Sequence, residues 1–349
     1  MSTEPKRAEP DEAAVTPSLE LRDLHVSFAT DEGRLTAVEG VDLTVSAGQT
    51  LGLVGESGCG KSVTARAVMR LLDERNTDYS GQVLFHGTDL LGLPPKQMRR
   101  YRGAAISMIF QDPMTSLDPV FTIGNQLGES LKLHRGLSSR EARTAAGDLL
   151  TRTGIPDASR RLDDYPHQLS GGMRQRVMIA MALAAHPEVL IADEPTTALD
   201  VTTQAQILDL LAELQQDLGM ALIFISHDLS VVREICDRVA IMYLGQVIEE
   251  GPTGQIMEAP RHPYTRGLMA SVPAMDRDRH EHRLAVIPGR VPGLAAKPDG
   301  CYFRPRCPIA TQVCLTRPGV RAVSSDARVR CWHADHPAES TTTAGEGTR

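Results

Sequence analysis

The segment GESGCGKS, residues 55–62, sets Gly55, Gly58 and Gly60 ahead of Lys61 and Ser62. Three glycines at this spacing let a backbone curl until successive N–H groups point inward, and such a nest binds phosphate oxygens. Lys61 adds a point charge for the β- and γ-phosphates, and the Ser62 hydroxyl is a ligand for Mg2+. Glu56, Ser57 and Cys59 fill the loop and Val63 follows it, so all belong to the expected nucleotide-contacting set. Cys59 is a small neighbour there with no redox role. A second run, VLIADEP (189–195), supplies two adjacent carboxylates. Asp193 at the end of an apolar strand can hold a magnesium shell, and Glu194 can polarise an attacking water as general base. Together the two runs describe a site that binds the phosphates of a nucleotide with Mg2+ and can set water against them.

Such groups need a sheet to position them. TLGLVG (50–55), ISMIF (106–110), VLIAD (189–193) and ALIFIS (221–226) are short apolar runs. Runs of this kind suit strands buried on both faces of a parallel sheet. The loop at 55–62 sits between one such run and a helical stretch, Ser62 to Leu72, as phosphate binding requires. Upstream, LELRDLHVSF alternates from Leu19 and AVEGVDLTV carries a second strand pattern, before a turn at Ala47-Gly48-Gln49. From about Asp112 to His186 the pattern becomes helical, which reads as a helical insertion into an α/β core.

The chain has 349 residues, 41% hydrophobic and 23% charged, a globular balance. Its formal net charge of −7 argues against a nucleic-acid partner. The longest apolar stretch, Val177 to Ala185, stops at His186-Pro187-Glu188, short of the about 20 residues a spanning helix needs. MSTEPKRAEPDEAA lacks the apolar core of a signal peptide. The expected place is the cytoplasm, with any membrane role exercised by docking on other subunits.

LSGGMRQR (169–176) lies shortly before the Asp-Glu run and resembles the signature motif of ATP-binding-cassette (ABC) ATPases. Ser170 can cap a helix, and Gly171 and Gly172 allow close approach to phosphate. The resemblance implies that these three residues reach the γ-phosphate held by a second cassette, with two ATP molecules sandwiched head to tail. Other landmarks match in order. Gln111 in IFQDP resembles the glutamine that senses Mg2+ and the attacking water and links to the membrane subunits. Thr197-Ala198-Leu199-Asp200 resembles the loop that couples the two sites. His227 in FISHD resembles the switch histidine at the γ-phosphate. Phe28 sits where the family stacks an aromatic on adenine, although one aromatic at a strand end also suits a core. The resemblance implies an α/β P-loop ABC-type nucleotide-binding domain with a helical subdomain, over residues 18–260 with the helical part at about 112–186.

The segments RHPYTRGLMASVP (261–273), CYFRPRCPIATQVC with RCWHADHP, and QDPMTSLDPVFTIGNQL (111–127) are similar to the oligopeptide, dipeptide and nickel importer subfamily. That likeness implies a cytoplasmic-face subunit of an inner-membrane peptide importer. Its partners would be a second ABC ATPase, two permease subunits and an extracytoplasmic solute-binding protein. A small Cys/Pro-rich domain is expected over 261–337, with a solvated charge run at Asp276–Arg283. Residues 1–17 and the tail 338–349 read as disordered. Cys301, Cys307, Cys314 and Cys331, four of six cysteines, run C-x5-C-x6-C-x16-C. In a cytosolic protein four soft thiolates fit an iron–sulfur cluster, zinc or free thiols, with His333 and His336 as substitute zinc ligands. The subfamily associates similar cysteines with a [4Fe–4S] cluster, which would staple a segment poor in apolar residues. Three other readings stay open. One is the same motor for nickel, glutathione or another solute. One is a soluble ABC ATPase of repair or translation, which normally carries two cassettes or a long coiled coil. One is another P-loop enzyme such as a kinase, against which LSGGMRQR argues.

Overall fold

The computed structural model describes residues 16–31, 33–197, 199–271 and 287–335. The expectations for residues 1–15, the Asp276–Arg283 run, Ala198, His336 and the tail 338–349 lie outside the described residues.

The strands are β1 (Leu19–Thr30), β2 (Gly33–Val45), β3 (Thr50–Val54), β4 (Thr77–Phe85), β5 (Thr88–Asp89), β6 (Ile106–Ile109), β7 (Val189–Asp193), β8 (Ala221–Ser226), β9 (Arg238–Tyr243), β10 (Gln246–Pro252), β11 (Arg321–Ala322) and β12 (Arg328–Val329). They form two sheets. An antiparallel sheet runs β2-β1-β4-β5, and a larger one runs β11-β12-β10-β9-β3-β8-β7-β6. In the larger sheet β9, β3, β8, β7 and β6 are parallel neighbours. Every residue of β3, β6, β7 and β8 is buried. That is why these strands read as unbroken apolar runs rather than as alternation. β1 and β2 alternate more loosely, because one face of their sheet covers a core and the other meets solvent.

Helices fill the stretch between β6 and β7. Ile123–Arg135 is capped by the Thr122 hydroxyl and ends at Gly136 in the left-handed region. Ser139–Arg152 opens with a capping box between Ser138 and Glu141. Leu127, Leu131, Ala142, Ala146, Leu149 and Leu150 from these two helices are buried together against the helix Gly171–Leu183. Their spacing of three and four residues gives each helix one apolar face.

The C-terminal segment is joined to the cassette through the main sheet. β12 pairs with β10, Glu249 opposite Val329 and Glu250 opposite Arg328, so it widens the main sheet. Phe303 is buried against Tyr243 and Tyr264, with ring centroids 5.4 Å from each. Such pairs contribute about 0.5–1.5 kcal/mol each beyond burial. Glu39 on β2 receives Lys297, Tyr302 and Arg317 from the same segment. Burial would raise its carboxyl, but those three partners outweigh it and bring it down to about 2. Among the described residues no helix is long and apolar enough to cross a membrane.

Candidate active site

β3 ends at Val54, and the chain then loops from Gly55 to the helix Lys61–Val68. A Cβ on Gly55 would lie 2.3 Å from the Met242 carbonyl oxygen and 2.7 Å from Cys59 Sγ. Gly60 combines a φ of 110° with a Cβ position 2.8 Å from the Ala37 oxygen, so no side chain fits either place. Lys61 is buried, and its Nζ donates to the Gly55 and Glu56 carbonyls at 2.7 and 3.2 Å. Cys59 is buried beneath the loop, where burial pushes its thiol up and keeps it protonated. Ser57 and Gly58 are exposed, and Val63 packs against the core that β1 covers.

The Ser62 hydroxyl donates to Asp193 Oδ1 at 2.8 Å, joining the first helix to the end of β7. Asp193 is fully buried. Burial raises its carboxyl and the Ser62 hydrogen bond opposes the rise. Its Oδ2 is buried with no hydrogen-bond partner. Glu194 follows with a φ of 48°, the left-handed region that a side chain disfavours. Its N–H donates to the Ile225 carbonyl at 3.1 Å, which ties the strained peptide to β8. Glu194 Oε2 accepts from Gln111 Nε2 and from Thr197 Oγ1, each at 3.0 Å. His227 Nδ1 lies 3.5 Å from the same oxygen, with most of its ring exposed. Groups at the C-terminal ends of β3, β6, β7 and β8 thus converge, the position where parallel α/β sheets bind ligands.

The signature segment makes other contacts. Ser170 caps the helix Gly171–Leu183 by accepting from the Met173 N–H at 3.3 Å. Ser170 and Gly171 are exposed, while a Cβ on Gly172 would lie 2.8 Å from Thr203 Cγ2. Asp200 caps the helix Val201–Leu218, accepting from the Thr203 N–H at 2.9 Å and hydroxyl at 2.7 Å. Those bonds hold the Asp200 carboxyl below its usual range. Phe28 lies in β1 opposite Leu35 and Thr77, half-buried and packed against the core.

None of the four late cysteines is in a disulfide, with Cys314 and Cys331 buried and Cys301 and Cys307 half-buried. The Cys301 N–H donates to the Cys314 carbonyl at 3.0 Å. Burial pushes Cys331 up to about 11, with Cys301, Cys307 and Cys314 adding to the rise. Burial does the same for Cys307, also to about 11, helped by Cys301 and Cys314. The four sulfurs therefore lie within electrostatic reach of one another. Among the described residues, however, no three His, Cys, Asp or Glu side chains are placed to hold a single metal ion. His333 Nε2 is hydrogen-bonded to Thr311 Oγ1 at 2.8 Å.

Two residues given no role by the sequence touch the loop. The Tyr264 hydroxyl accepts the Glu56 N–H at 2.9 Å, and Arg306 pairs with the Glu56 carboxylate at 2.7 Å. Neither has a local signal, since each reaches the loop from more than 200 positions away in sequence.

Residues 38–197 match the ABC transporter family model, and residues 248–314 match the oligopeptide/dipeptide transporter C-terminal region. A peptide import ATP-binding protein of Brucella abortus is 50% identical over 315 residues, covering 90% of this chain and 94% of the relative. One from Brucella melitensis is 50% identical over 327 residues, covering 90% and 96%. The dimeric bacterial cassette solved in a post-hydrolysis state with ADP and Pi is 29% identical, with a TM-score of 0.61. It covers 67% of this chain and 98% of its own. A component of an ABC transporter complex from Clostridium perfringens matches at 29% identity and a TM-score of 0.59, over 70% of this chain and 92% of its own. With the glycine loop, paired carboxylates and signature helix in one chain, the protein is an ATP-hydrolysing cassette and belongs to the ABC transporter ATP-binding proteins, in the branch with the oligopeptide/dipeptide C-terminal region.

Proposed function

We propose that this chain powers peptide import across a bacterial inner membrane, from the cytoplasmic face, as one of two cassettes docked on two permease subunits. A solute-binding protein on the far side would deliver the peptide. The observation that carries the reading is the convergence of Gln111, Thr197 and His227 on one oxygen of Glu194, beside the Ser62–Asp193 pair. The names of the relatives support peptide as the cargo. The partner cassette is expected to be a paralogue.

The roles follow from position. The N–H groups of the 55–63 loop, with Lys61, receive the β- and γ-phosphates, and Phe28 is the candidate to stack on adenine. Asp193 and Ser62 fit a magnesium ion, because a buried, unpartnered Asp193 Oδ2 is a hard oxygen donor in want of a cation. Mg2+ there would neutralise charge on the phosphate oxygens, and the family likeness adds Gln111 to its ligands. Glu194 takes a proton from water as the water oxygen attacks the γ-phosphorus. The bond to the ADP oxygen breaks, leaving ADP and phosphate. His227 contacts the γ-phosphate and reports its loss. Ser170, Gly171 and Gly172 serve the ATP held by the partner cassette, and Asp200 relays between the two sites.

The sequence spacing of the four cysteines, wider than the usual C-x2-4-C zinc pairs, and the subfamily likeness favour a [4Fe–4S] cluster over zinc. Cys301, Cys307, Cys314 and Cys331 would hold it as a staple for the C-terminal segment. Affinity purification of the chain from membranes tests the import reading. Recovery of a permease pair and a peptide-binding protein supports it, and recovery of ribosomes or DNA overturns it.

A further inference from the structure

We propose that Arg306 and Tyr264 are positioning residues for the phosphate loop, so that the C-terminal segment sets how tightly the cassette grips nucleotide. The inference rests on the nucleotide reading of the 55–62 loop. Glu56, the second residue of that loop, is held at both ends. Its N–H donates to the Tyr264 hydroxyl at 2.9 Å. Its carboxylate takes a two-pronged pair from Arg306, Nη1 to Oε2 at 2.7 Å and Nη2 to Oε1 at 3.1 Å. Two parallel bonds fix direction as well as distance.

The clamp itself is rigid. The Arg306 side chain is buried, and its Nε donates to the Pro288 carbonyl at 3.0 Å. Its guanidinium lies 5.8 Å from the Tyr243 ring centre and 5.9 Å from that of Phe303. Tyr264 is fully buried beside Tyr243, with ring centroids 4.8 Å apart. The carbonyls of Gly55 and Glu56 are also the acceptors of Lys61 Nζ, so the clamped peptides and the phosphate-binding lysine move as one unit. Arg306 directly precedes Cys307. Displacement of the cysteine-bearing turn would therefore be felt at Glu56 through one residue. Phosphate binding by backbone N–H groups depends on their aim, and small misplacements carry large losses.

The test is the affinity of the full-length chain for MgATP, measured by titration calorimetry. The variants are Arg306→Gln, Glu56→Gln, both together, Arg306→Lys and Tyr264→Phe. Each single glutamine variant is expected to bind about tenfold more weakly than wild type. The double variant should bind no more weakly than either single, because both break one pair. Arg306→Lys should fall between, since an ammonium cannot make the two-pronged pair. It also serves where Arg306→Gln fails to fold. Wild-type affinity in natively folded Arg306→Lys and Glu56→Gln, or losses that simply add in the double variant, overturns the proposal. Absence of MgATP binding by the wild-type chain would instead sink the nucleotide reading, and this inference with it.

Discussion

Gln111 Nε2 donates to Glu194 Oε2 at 3.0 Å, linking the segment after β6 to the residue after β7. Gln111 leads into the helical region, and Glu194 is the carboxylate beside the buried Asp193. Under the proposed function, this bond would tie movement of the helices to the carboxylate assigned as general base. Glu194→Gln removes the base and keeps the shape. ATP turnover should fall about 10²–10⁴-fold while MgATP binding persists, as read by steady-state phosphate release beside calorimetry. Turnover within a few fold of wild type would remove Glu194 from the base role.

Gly172 and Thr203 give a prediction whose sign is unusual. Glycine to alanine inside a helix ordinarily stabilises by about 0.5–1 kcal/mol. Here the added Cβ would lie 2.8 Å from Thr203 Cγ2. Gly172→Ala should therefore destabilise, by about 1–3 kcal/mol in urea unfolding. Adding Thr203→Ser removes the methyl and keeps the hydroxyl bound to Asp200, so most of the loss should return. Gly172→Ala alone proving stabilising would contradict the packing.

His262 sets a pH dependence. Its ring is buried, and Nδ1 accepts the Tyr264 N–H at 3.0 Å, which requires the neutral form. Burial, with Arg266 adding to it, brings the imidazole down to about 3. The unfolded chain takes up this proton near 6.5 and the folded chain only near 3. The contribution is full above about pH 6.5 and is lost as pH falls toward 3, at about 1.4 kcal/mol per pH unit. His262→Asn keeps a helix cap without titrating. Its stability, measured against wild type at several pH values, should decline less steeply in that window. Parallel curves would show that His262 does not carry the slope.

The cysteine turn predicts about four iron and four sulfide per chain in anaerobically purified protein. Cys307→Ser and Cys331→Ser should lose iron and lower the melting temperature. Stoichiometric zinc, or no metal with both serine variants as stable as wild type, would leave the thiols without a cluster.

The parts legible in the sequence were those set by local pattern. β3, β7 and β8 are buried on both faces, and their unbroken apolar runs announced them. Ser170 was readable as a cap, because capping needs only a side-chain oxygen ahead of a helix. Contacts between distant segments were not readable. Nothing about Gly172 points to Thr203, and nothing about Arg306 points to Glu56. β12 is two residues long and shows no alternation, so its joining the main sheet left no trace. The left-handed backbone at Glu194 is hidden too, since glutamate does not favour it.

The most direct test of the account is peptide uptake in proteoliposomes that carry the whole transporter, assembled with this chain or with its Glu194→Gln variant. With wild type, a labelled peptide should accumulate only when MgATP is supplied on the cassette side, and the variant should bind MgATP yet accumulate almost none. Equal accumulation by wild type and variant, or no ATP-dependent peptide uptake by the wild-type assembly, would contradict it.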